Sequence, residues 1–188
     1  KIFTLLLFCC LLSSCGDKNN DPTPPADNDL ANLRAEIAIH VADDFILPAF
    51  GSLKSAATQL HEQALLLNEE VSEAHLAALS AAHLQVWEQW QRASMFQFGP
   101  TVTNGLRVAI NTYPSDIDKI EANISNENYQ LGSLNNQNAE GLPALDYLLS
   151  PTGDPQPLEV FSAERIAYIQ LLTERILSLV TQTEDEWK

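Results

Sequence analysis

Apolar residues recur every three or four positions along most of the chain after residue 29, which is the spacing of one face of an α-helix. This spacing predicts a helical arm from Leu30 to Leu67, which Pro48 should kink because proline lacks an amide donor. A second long helix is predicted from Ser72 to about Phe96. The predicted apolar faces comprise Leu30, Leu33, Ile37, Val41, Phe45 and Ile46 in the first helix, and Leu76, Leu79, His83, Val86, Trp90 and Ala93 in the second.

The rest of the chain alternates weakly periodic segments with helical ones. Phe98-Gly99-Pro100 should terminate the second helix, because glycine tolerates a left-handed cap and proline cannot continue the helix. The Asn-rich segment 101–137 is predicted to be rich in loops, with one short helix that Ser115 caps. Residues 141–149 should form a compact apolar helix, and a final long helix should begin after Ser162. No alternation typical of strands persists, so we predict an all-α fold, an up-and-down helical bundle.

The composition agrees with one helical domain or with two small ones. The 188 residues include 10 Lys and Arg against 25 Asp and Glu, which gives a formal net charge of −15. This charge argues against a nucleic-acid partner, because binding requires clustered basic residues that displace counterions from the phosphates. A hydrophobic fraction of 45% argues against wholesale disorder. Composition alone reveals no function.

The first fifteen residues have the organisation of an export signal. Lys1 precedes an apolar run, residues 2–12, that is too short to span a membrane. Leu12-Ser13-Ser14-Cys15 resembles the lipobox of bacterial lipoproteins, in which the signal is cut before a cysteine that is then acylated. The alternative is an ordinary signal peptide in which Cys15 occurs by chance.

The lipoprotein interpretation divides the chain into a signal peptide (1–14), a lipidated Cys15 with a flexible tether (15–29) and a helical domain (30–188). Several acyl chains hold a protein firmly at a membrane, so we expect a partner membrane and a bacterial cell-envelope location, periplasmic or surface-facing. All three cysteines lie in the first fifteen residues. The folded part therefore has no disulfide and no thiol nucleophile.

Two histidines on the predicted long helices are candidates for chemistry. His40 and Asp43 lie three positions apart on one helix face, where a metal ion would need further ligands that the sequence does not offer. His83 falls on the apolar face of the second helix, so we expect a buried histidine with a satisfied hydrogen bond.

Aromatic residues concentrate near the end of the second helix. They are Trp87, Trp90, Phe96 and Phe98. Most of this aromatic area should pack in the core. The alternative places Trp90 and Phe98 in the wall of a pocket.

The segment 141–149 places one carboxylate in an otherwise apolar helix. Gly141 allows close approach of a neighbouring backbone, and Pro143 suits the first helical turn. A buried Asp146 would need an arginine, a backbone amide, a helix end or a cation as its partner. The alternative, which the sequence leaves open, places Asp146 on the solvent side of the helix.

Four motifs in this order resemble the imelysin family, whose members are also called insulin-cleaving membrane proteases and iron-regulated imelysin-like proteins. The motifs are Trp90-Gln91-Arg92 followed by Phe98-Gly99-Pro100, then Tyr113-Pro114 with Asp116 and Ile117, then Gly141-Leu142-Pro143-Ala144-Leu145-Asp146-Tyr147-Leu148-Leu149, then Arg165 with Tyr168. The resemblance covers Leu30 to the end and implies a fold of two related helical bundles, of which this chain corresponds to the N-terminal one. A second imelysin half or an envelope partner is therefore an implied partner.

The family's signature is G-x-H-x-x-E, whose His and Glu are suspected of binding metal or of catalysing peptide cleavage. Pro143 occupies the His position here and Asp146 the Glu position, as in a branch of the family that looks like G-L-P-A-L-[DE]. Proline cannot bind a metal or transfer a proton, so no complete catalytic set is predicted. The implied cofactor is a divalent metal or iron, with Asp146 as the metal-binding candidate. The residues implied in the motif or binding site are Gly141, Pro143, Asp146, Trp90, Gly99, Pro100 and Arg165.

Three functions follow as hypotheses. The leading one is a lipid-anchored envelope protein that binds a ligand, metal or partner in iron or metal acquisition. The alternative is a metallopeptidase of the insulin-cleaving type, although zinc hydrolysis needs an activated water on a firmly chelated ion. A third is a structural envelope scaffold.

Overall fold

The computed structural model describes residues 27–126, 130–150 and 157–188. The chain divides into two compact units, Lys1–Glu36 and Ile37–Lys188, and the boundary falls inside the first helix. The predicted signal peptide, the lipidation site Cys15 and most of the predicted tether lie outside the described residues. In the first unit the described residues are helical and exposed, apart from a half-buried Leu30.

The described residues form helices and turns and no strand, so the prediction of an all-α helical bundle is confirmed. The α-helices are α1 (Asp27–Val41), α2 (Leu47–Leu66), α3 (Glu73–Ala93), α4 (Pro100–Thr103), α5 (Leu106–Asn111), α6 (Ile117–Asn126), α7 (Leu142–Leu149) and α8 (Ala163–Trp187). A π-helical turn, Ala42–Ile46, joins α1 to α2, and two 3-10 helices span Leu134–Ala139 and Leu158–Val160.

Three long helices, α2, α3 and α8, form the centre of the second unit. α2 packs along both α3 and α8, and the shorter helices α5, α6 and α7 pack against this layer. The largest buried side chains include Phe50, Leu53, Leu60, Leu79, Trp90, Ile120, Leu145 and Tyr168. The motif helix α7 contacts α3, α5, α6 and α8, so it is an interior helix with one edge at the surface.

Serine caps begin two of the long helices, of which the one at Ser162 was predicted. The Ser72 hydroxyl oxygen accepts from the His75 amide at 3.2 Å, and that of Ser162 accepts from the Arg165 amide at 3.3 Å. The prediction that Ser115 caps α6 is wrong. Asp116 accepts from the Lys119 amide at 3.0 Å instead, because its carboxylate lies one position nearer the helix and is the stronger acceptor.

The segment 101–137 contains more helix than the predicted loop-rich region. α3 ends at Ala93 rather than near Phe96, and α4 begins at Pro100, where a missing amide donor is harmless in the first turn. α4 and α5 have 4 and 6 residues. Helices this short carry too few apolar positions to show a helical period.

The apolar face predicted for the first helix is not buried. No residue of α1 is buried, and the exposed fractions of Leu33, Ile37 and Phe45 are 50%, 54% and 62%. Ile46, the last residue of this predicted face, is buried. The predicted interruption lies just before Pro48, which occupies the first turn of α2 after the π-helical turn. A helical period predicts an apolar face and says nothing about what covers it.

Within residues 27–126, 130–150 and 157–188, no helix is both long enough and apolar enough to cross a bilayer.

Candidate functional site

Gly141 sets the position of α7. Its φ is +83°, a backbone conformation that favours glycine. A Cβ built on Gly141 would lie 2.5 Å from the Ile110 carbonyl oxygen, so α5 can approach only because residue 141 has no side chain. The predicted close backbone approach at Gly141 is therefore confirmed.

An open cleft of about 640 Å³ lies beside α7. Its walls come from α3, from the stretch between the end of α5 and the start of α6, and from α7. The lining residues are Trp87, Asn111, Tyr113, Pro114, Ser115, Ile117, Pro143, Asp146 and Tyr147. Both residues that stand at the signature positions, Pro143 and Asp146, thus face one cleft.

Asp146 is exposed on the surface edge of α7. Its carboxylate makes no ion pair with any residue of the described ranges. Of the two alternatives for Asp146, the solvent-side one is therefore found. The side chain still lines the cleft, so its charge faces whatever binds there.

Arg165 does not reach Asp146. Its guanidinium donates to Glu121 Oε1 at 2.6 Å, and the Tyr147 hydroxyl donates to the same oxygen at 2.8 Å. Burial and the hydrogen bond to Glu121 raise the pKa of Tyr147. Glu121 thus joins α6 to α7 and α8 and fixes the ring of Tyr147 against the cleft.

His83 is buried behind the first turn of α7. Its Nε2 lies 3.0 Å from the Leu142 carbonyl oxygen, which can only accept, so Nε2 carries the proton. Burial lowers the pKa of His83, while the Leu142 carbonyl and the Asp146 charge act in the opposite direction. The expectation of a buried histidine with a satisfied hydrogen bond is confirmed.

The wall of the cleft on α3 is Trp87, not Trp90. Trp90 is 1% exposed and packs in the core, as most of this aromatic group was expected to do. Phe98 is exposed, but it contacts Trp187 with ring centroids 5.2 Å apart and does not line the cleft. Trp90 and Phe98 therefore do not line this cleft, because α3 turns Trp87 towards α7.

Gly99 and Pro100 also lie outside the cleft. A Cβ on Gly99, whose φ is +53°, would lie 3.1 Å from the Trp187 ring. Pro100 opens α4. Two of the seven sequence-predicted site residues, Pro143 and Asp146, line the cleft. The other five do not: Gly141, Trp90, Gly99, Pro100 and Arg165.

A buried ion pair beside Gly141 was missed from the sequence. Glu140 accepts from Arg175 Nε at 2.6 Å, and both of its carboxylate oxygens lie 3.1 Å from the Gly132 amide. Burial raises the pKa of Glu140, and the Arg175 charge opposes that rise. The sequence showed only that an acidic residue precedes Gly141. It could not show the partner, because Arg175 lies on α8 at a distance along the chain that no helical period predicts.

The family model of imelysin, Peptidase_M75, matches residues 46–188. The chain belongs to the imelysin family. The match covers the whole of α2 to α8, and the motif order that pointed to imelysins is therefore confirmed as a family resemblance.

Two solved imelysin-like structures are similar in fold. A protein named as an iron-regulated protein A precursor, from Parabacteroides distasonis, has a TM-score of 0.74 and 21% identity, over 86% of this chain and 45% of its own. An imelysin-like protein from Psychrobacter arcticum has a TM-score of 0.63 and 23% identity, over 84% of this chain and 50% of its own. The chain thus spans about half the length of these two proteins.

One sequence relative covers a shorter stretch. It is iron-regulated protein A of Synechococcus elongatus, which is 28% identical over 74 residues, 39% of this chain and 21% of the relative.

The metal that the imelysin signature implies does not fit the residues at this cleft. Pro143 has no side-chain atom that can bind a metal. His83 Nε2 carries a hydrogen that it donates in a hydrogen bond to the Leu142 carbonyl, so this nitrogen cannot bind a metal either. Across the described ranges, no three His, Cys, Asp or Glu side chains converge closely enough to hold a metal ion. His40 lies 3.5 Å from Asp44, not Asp43, and both side chains are exposed. Asp146 alone would supply one ligand residue, and a stable metal site needs three or four.

Proposed function

We propose that this chain is a lipid-anchored imelysin-like protein of the bacterial cell envelope that binds a ligand in iron or metal acquisition. The observation that carries the proposal is the open cleft of about 640 Å³ beside α7, with the charged Asp146 and the half-buried Trp87 in its walls. A cleft of this size, with a mostly apolar lining and a few polar groups, is typical of a small-molecule site.

The link to iron rests on names of relatives. Two of the similar proteins carry the name iron-regulated protein A, which describes how those proteins are controlled. For this chain we propose the same association. The link to the envelope rests on the lipobox-like Leu12-Ser13-Ser14-Cys15.

Binding is tested on the full chain purified without a metal-binding tag from cells grown with limiting or sufficient iron. Mass spectrometry of the native protein should detect a co-purified small molecule in a one-to-one ratio. The molecule should be lost in Trp87→Leu and retained in Leu171→Ala, a change at a half-exposed apolar residue of α8 that is not part of the cleft. A protein that carries no ligand under either condition contradicts the proposal.

Anchoring is tested separately. Cells that express the chain and are fed a radiolabelled fatty acid should label it, and Cys15→Ser should abolish the label. Absence of label in the unsubstituted chain contradicts the lipid anchor, labelling that persists in Cys15→Ser contradicts Cys15 as its site, and both results leave the binding proposal intact.

A metallopeptidase is the second candidate, because the matching family is named as a peptidase. The full chain should then cleave a denatured protein, and a chelator should stop the cleavage. The proline at residue 143 and the protonated Nε2 of His83 favour the binding function. Chelator-sensitive cleavage that Asp146→Asn abolishes would replace the binding function with this one.

We further propose that a second imelysin half or another envelope protein covers the exposed apolar side chains Ile37 and Phe45. The support is their exposure, 54% and 62%, together with the greater length of the solved relatives. A photo-crosslinker placed at residue 37 in cells should capture another helical bundle. A crosslinker at exposed Glu174 serves as the control and should capture none.

A further inference from the structure

The charge in the cleft is unbalanced. Asp146 is the one charged residue among the described residues that line it. Two basic side chains nearby have partners of their own: His83 donates to the Leu142 carbonyl, and Arg165 donates to Glu121 through Nη2, while its buried Nη1 has no hydrogen-bond partner among the described residues. A ligand that fills this cleft therefore meets a carboxylate without an internal counter-ion, and a positive charge on the ligand is favoured.

The walls around Asp146 are aromatic and apolar. Trp87, Tyr113 and Tyr147 contribute three rings to the lining, and Pro114, Ile117 and Pro143 contribute apolar surface. Aromatic faces attract organic cations through the negative potential of the ring, and tryptophan does so most strongly. An inorganic ion with its water shell would leave these walls uncovered, so the ligand should carry an apolar body next to its charge.

Two polar groups complete the lining. The Asn111 amide carries both a donor and an acceptor, and the buried Ser115 hydroxyl oxygen has no hydrogen-bond partner among the described residues. A buried hydroxyl without a partner is costly, and a polar group on a ligand would satisfy it.

We propose that the cleft binds a small organic cation, an ammonium or guanidinium group on an apolar body, with its charge against Asp146 and its body against Trp87. This inference rests on the proposed binding function, because it names the chemical class of the ligand for the same cleft.

The test uses the full chain and matched probes. Benzylammonium and phenylguanidinium carry the charge, and benzyl alcohol has a similar shape without it. Binding is followed by calorimetry and by the indole N–H resonance of Trp87, assigned from Trp87→Phe. We expect both cations to bind about tenfold more tightly than benzyl alcohol.

Variants locate the charge. Asp146→Asn should remove about tenfold of the affinity for benzylammonium and leave the affinity for benzyl alcohol unchanged. Asp43→Asn, a change to an exposed carboxylate outside the cleft, should alter neither affinity. Circular dichroism of each variant verifies the fold.

Different results would contradict the proposal that the cleft binds a ligand and the proposal that this ligand is a cation. Equal binding of benzyl alcohol and benzylammonium, lost in Trp87→Leu, overturns the cation assignment and keeps a ligand-binding cleft. Zinc or iron binding that Asp146→Asn abolishes, with no response to any organic cation, overturns the cation assignment in favour of a metal. A chain that binds none of the probes and purifies without a ligand overturns both.

Discussion

His83 on α3 is hydrogen-bonded to the carbonyl oxygen of Leu142, 3.0 Å away, in the first turn of α7. One buried imidazole therefore holds the motif helix in place from behind the cleft. Leu142, the partner of His83, precedes Pro143. In the family signature the position of Pro143 is occupied by a histidine, which is a different residue from His83. The imidazole of this chain thus has a structural contact with α7 and does not face the cleft lining.

The contribution of His83 to folding stability should become unfavourable as the pH decreases below about 6.5, the ordinary pKa of histidine. Burial lowers the pKa of His83, so in this window the unfolded chain binds a proton that the folded chain does not. His83→Gln keeps a donor for Leu142 and does not titrate, so its unfolding free energy should lose less on acidification. Urea unfolding between pH 5 and pH 8 measures this, with exposed His40→Gln as the control. Parallel pH profiles for the wild type and His83→Gln would count against a neutral buried His83.

Gly141→Ala should destabilise the fold by about 3 kcal/mol, because it combines a positive φ with a backbone clash. The new Cβ would lie 2.5 Å from the Ile110 carbonyl oxygen. Gly105→Ala is the control for a left-handed residue without a clash, since its φ is +60° and its ψ is 27° and nothing lies within 4 Å of a Cβ there, whereas Gly141, with ψ −169°, has a conformation open to glycine almost alone. Gly105→Ala should cost about 1 kcal/mol, the penalty of the left-handed conformation alone. Equal losses in the two variants, measured by denaturant unfolding, would show that the backbone at residue 141 and the neighbouring α5 both relax to admit a side chain.

Arg175→Met should cost about 3 kcal/mol, the lower end of the range for a broken buried pair because Arg175 is partly exposed. The variant leaves the Glu140 carboxylate buried without its counter-ion. A raised carboxyl pKa makes the folded state bind the extra proton, so this loss should be larger at pH 8 than at pH 5.

Adding Glu140→Gln should recover part of the stability that Arg175→Met loses, since the buried charge is then absent. Exposed Arg107→Met serves as the control and should have little effect. A double variant that is no more stable than Arg175→Met would indicate that the side chain of Arg175 acts by packing alone.

Tyr147→Phe should cost about 1 kcal/mol, because Glu121 loses one donor and keeps the guanidinium of Arg165. The change removes a hydroxyl that donates away from the cleft and keeps the ring in its wall. Affinity for benzylammonium should therefore change less than in Asp146→Asn. A larger loss in Tyr147→Phe would place the hydroxyl of Tyr147, rather than the Asp146 charge, in contact with the ligand.

The long helices could be predicted from the sequence because their period and their caps are local. α3 and α8 carry apolar residues every three or four positions, and the hydroxyls of Ser72 and Ser162 mark where they begin. The same local signals gave the wrong N-cap for α6, because two adjacent side chains can each accept a hydrogen bond from the first turn of the helix. Ser115 and Asp116 both fit a cap, and the carboxylate of Asp116 takes the position.

The cleft could be predicted in part. Pro143 and Asp146 share a helix edge by spacing alone, and the motif order singled them out. The choice of Trp87 over Trp90 depends on which side of α3 meets α7, which is a tertiary contact. The pairing of Arg165 with Glu121 joins residues 44 positions apart, and no local period links them.

Gly141 and its neighbour Pro143 are subject to different constraints. The space at residue 141 is taken by a carbonyl of α5, so a glycine is needed there whatever the protein binds. The buried side chain of Pro143 lines the cleft, so we expect residue 143 to vary with what the cleft binds. Across imelysins, we therefore expect the glycine of this signature to be kept wherever the fold is kept. We expect the residues two and five positions later to differ between proteins that bind different ligands. Grouping relatives by the residues at the positions of Pro143 and Asp146 should then separate imelysins of different function that share this fold.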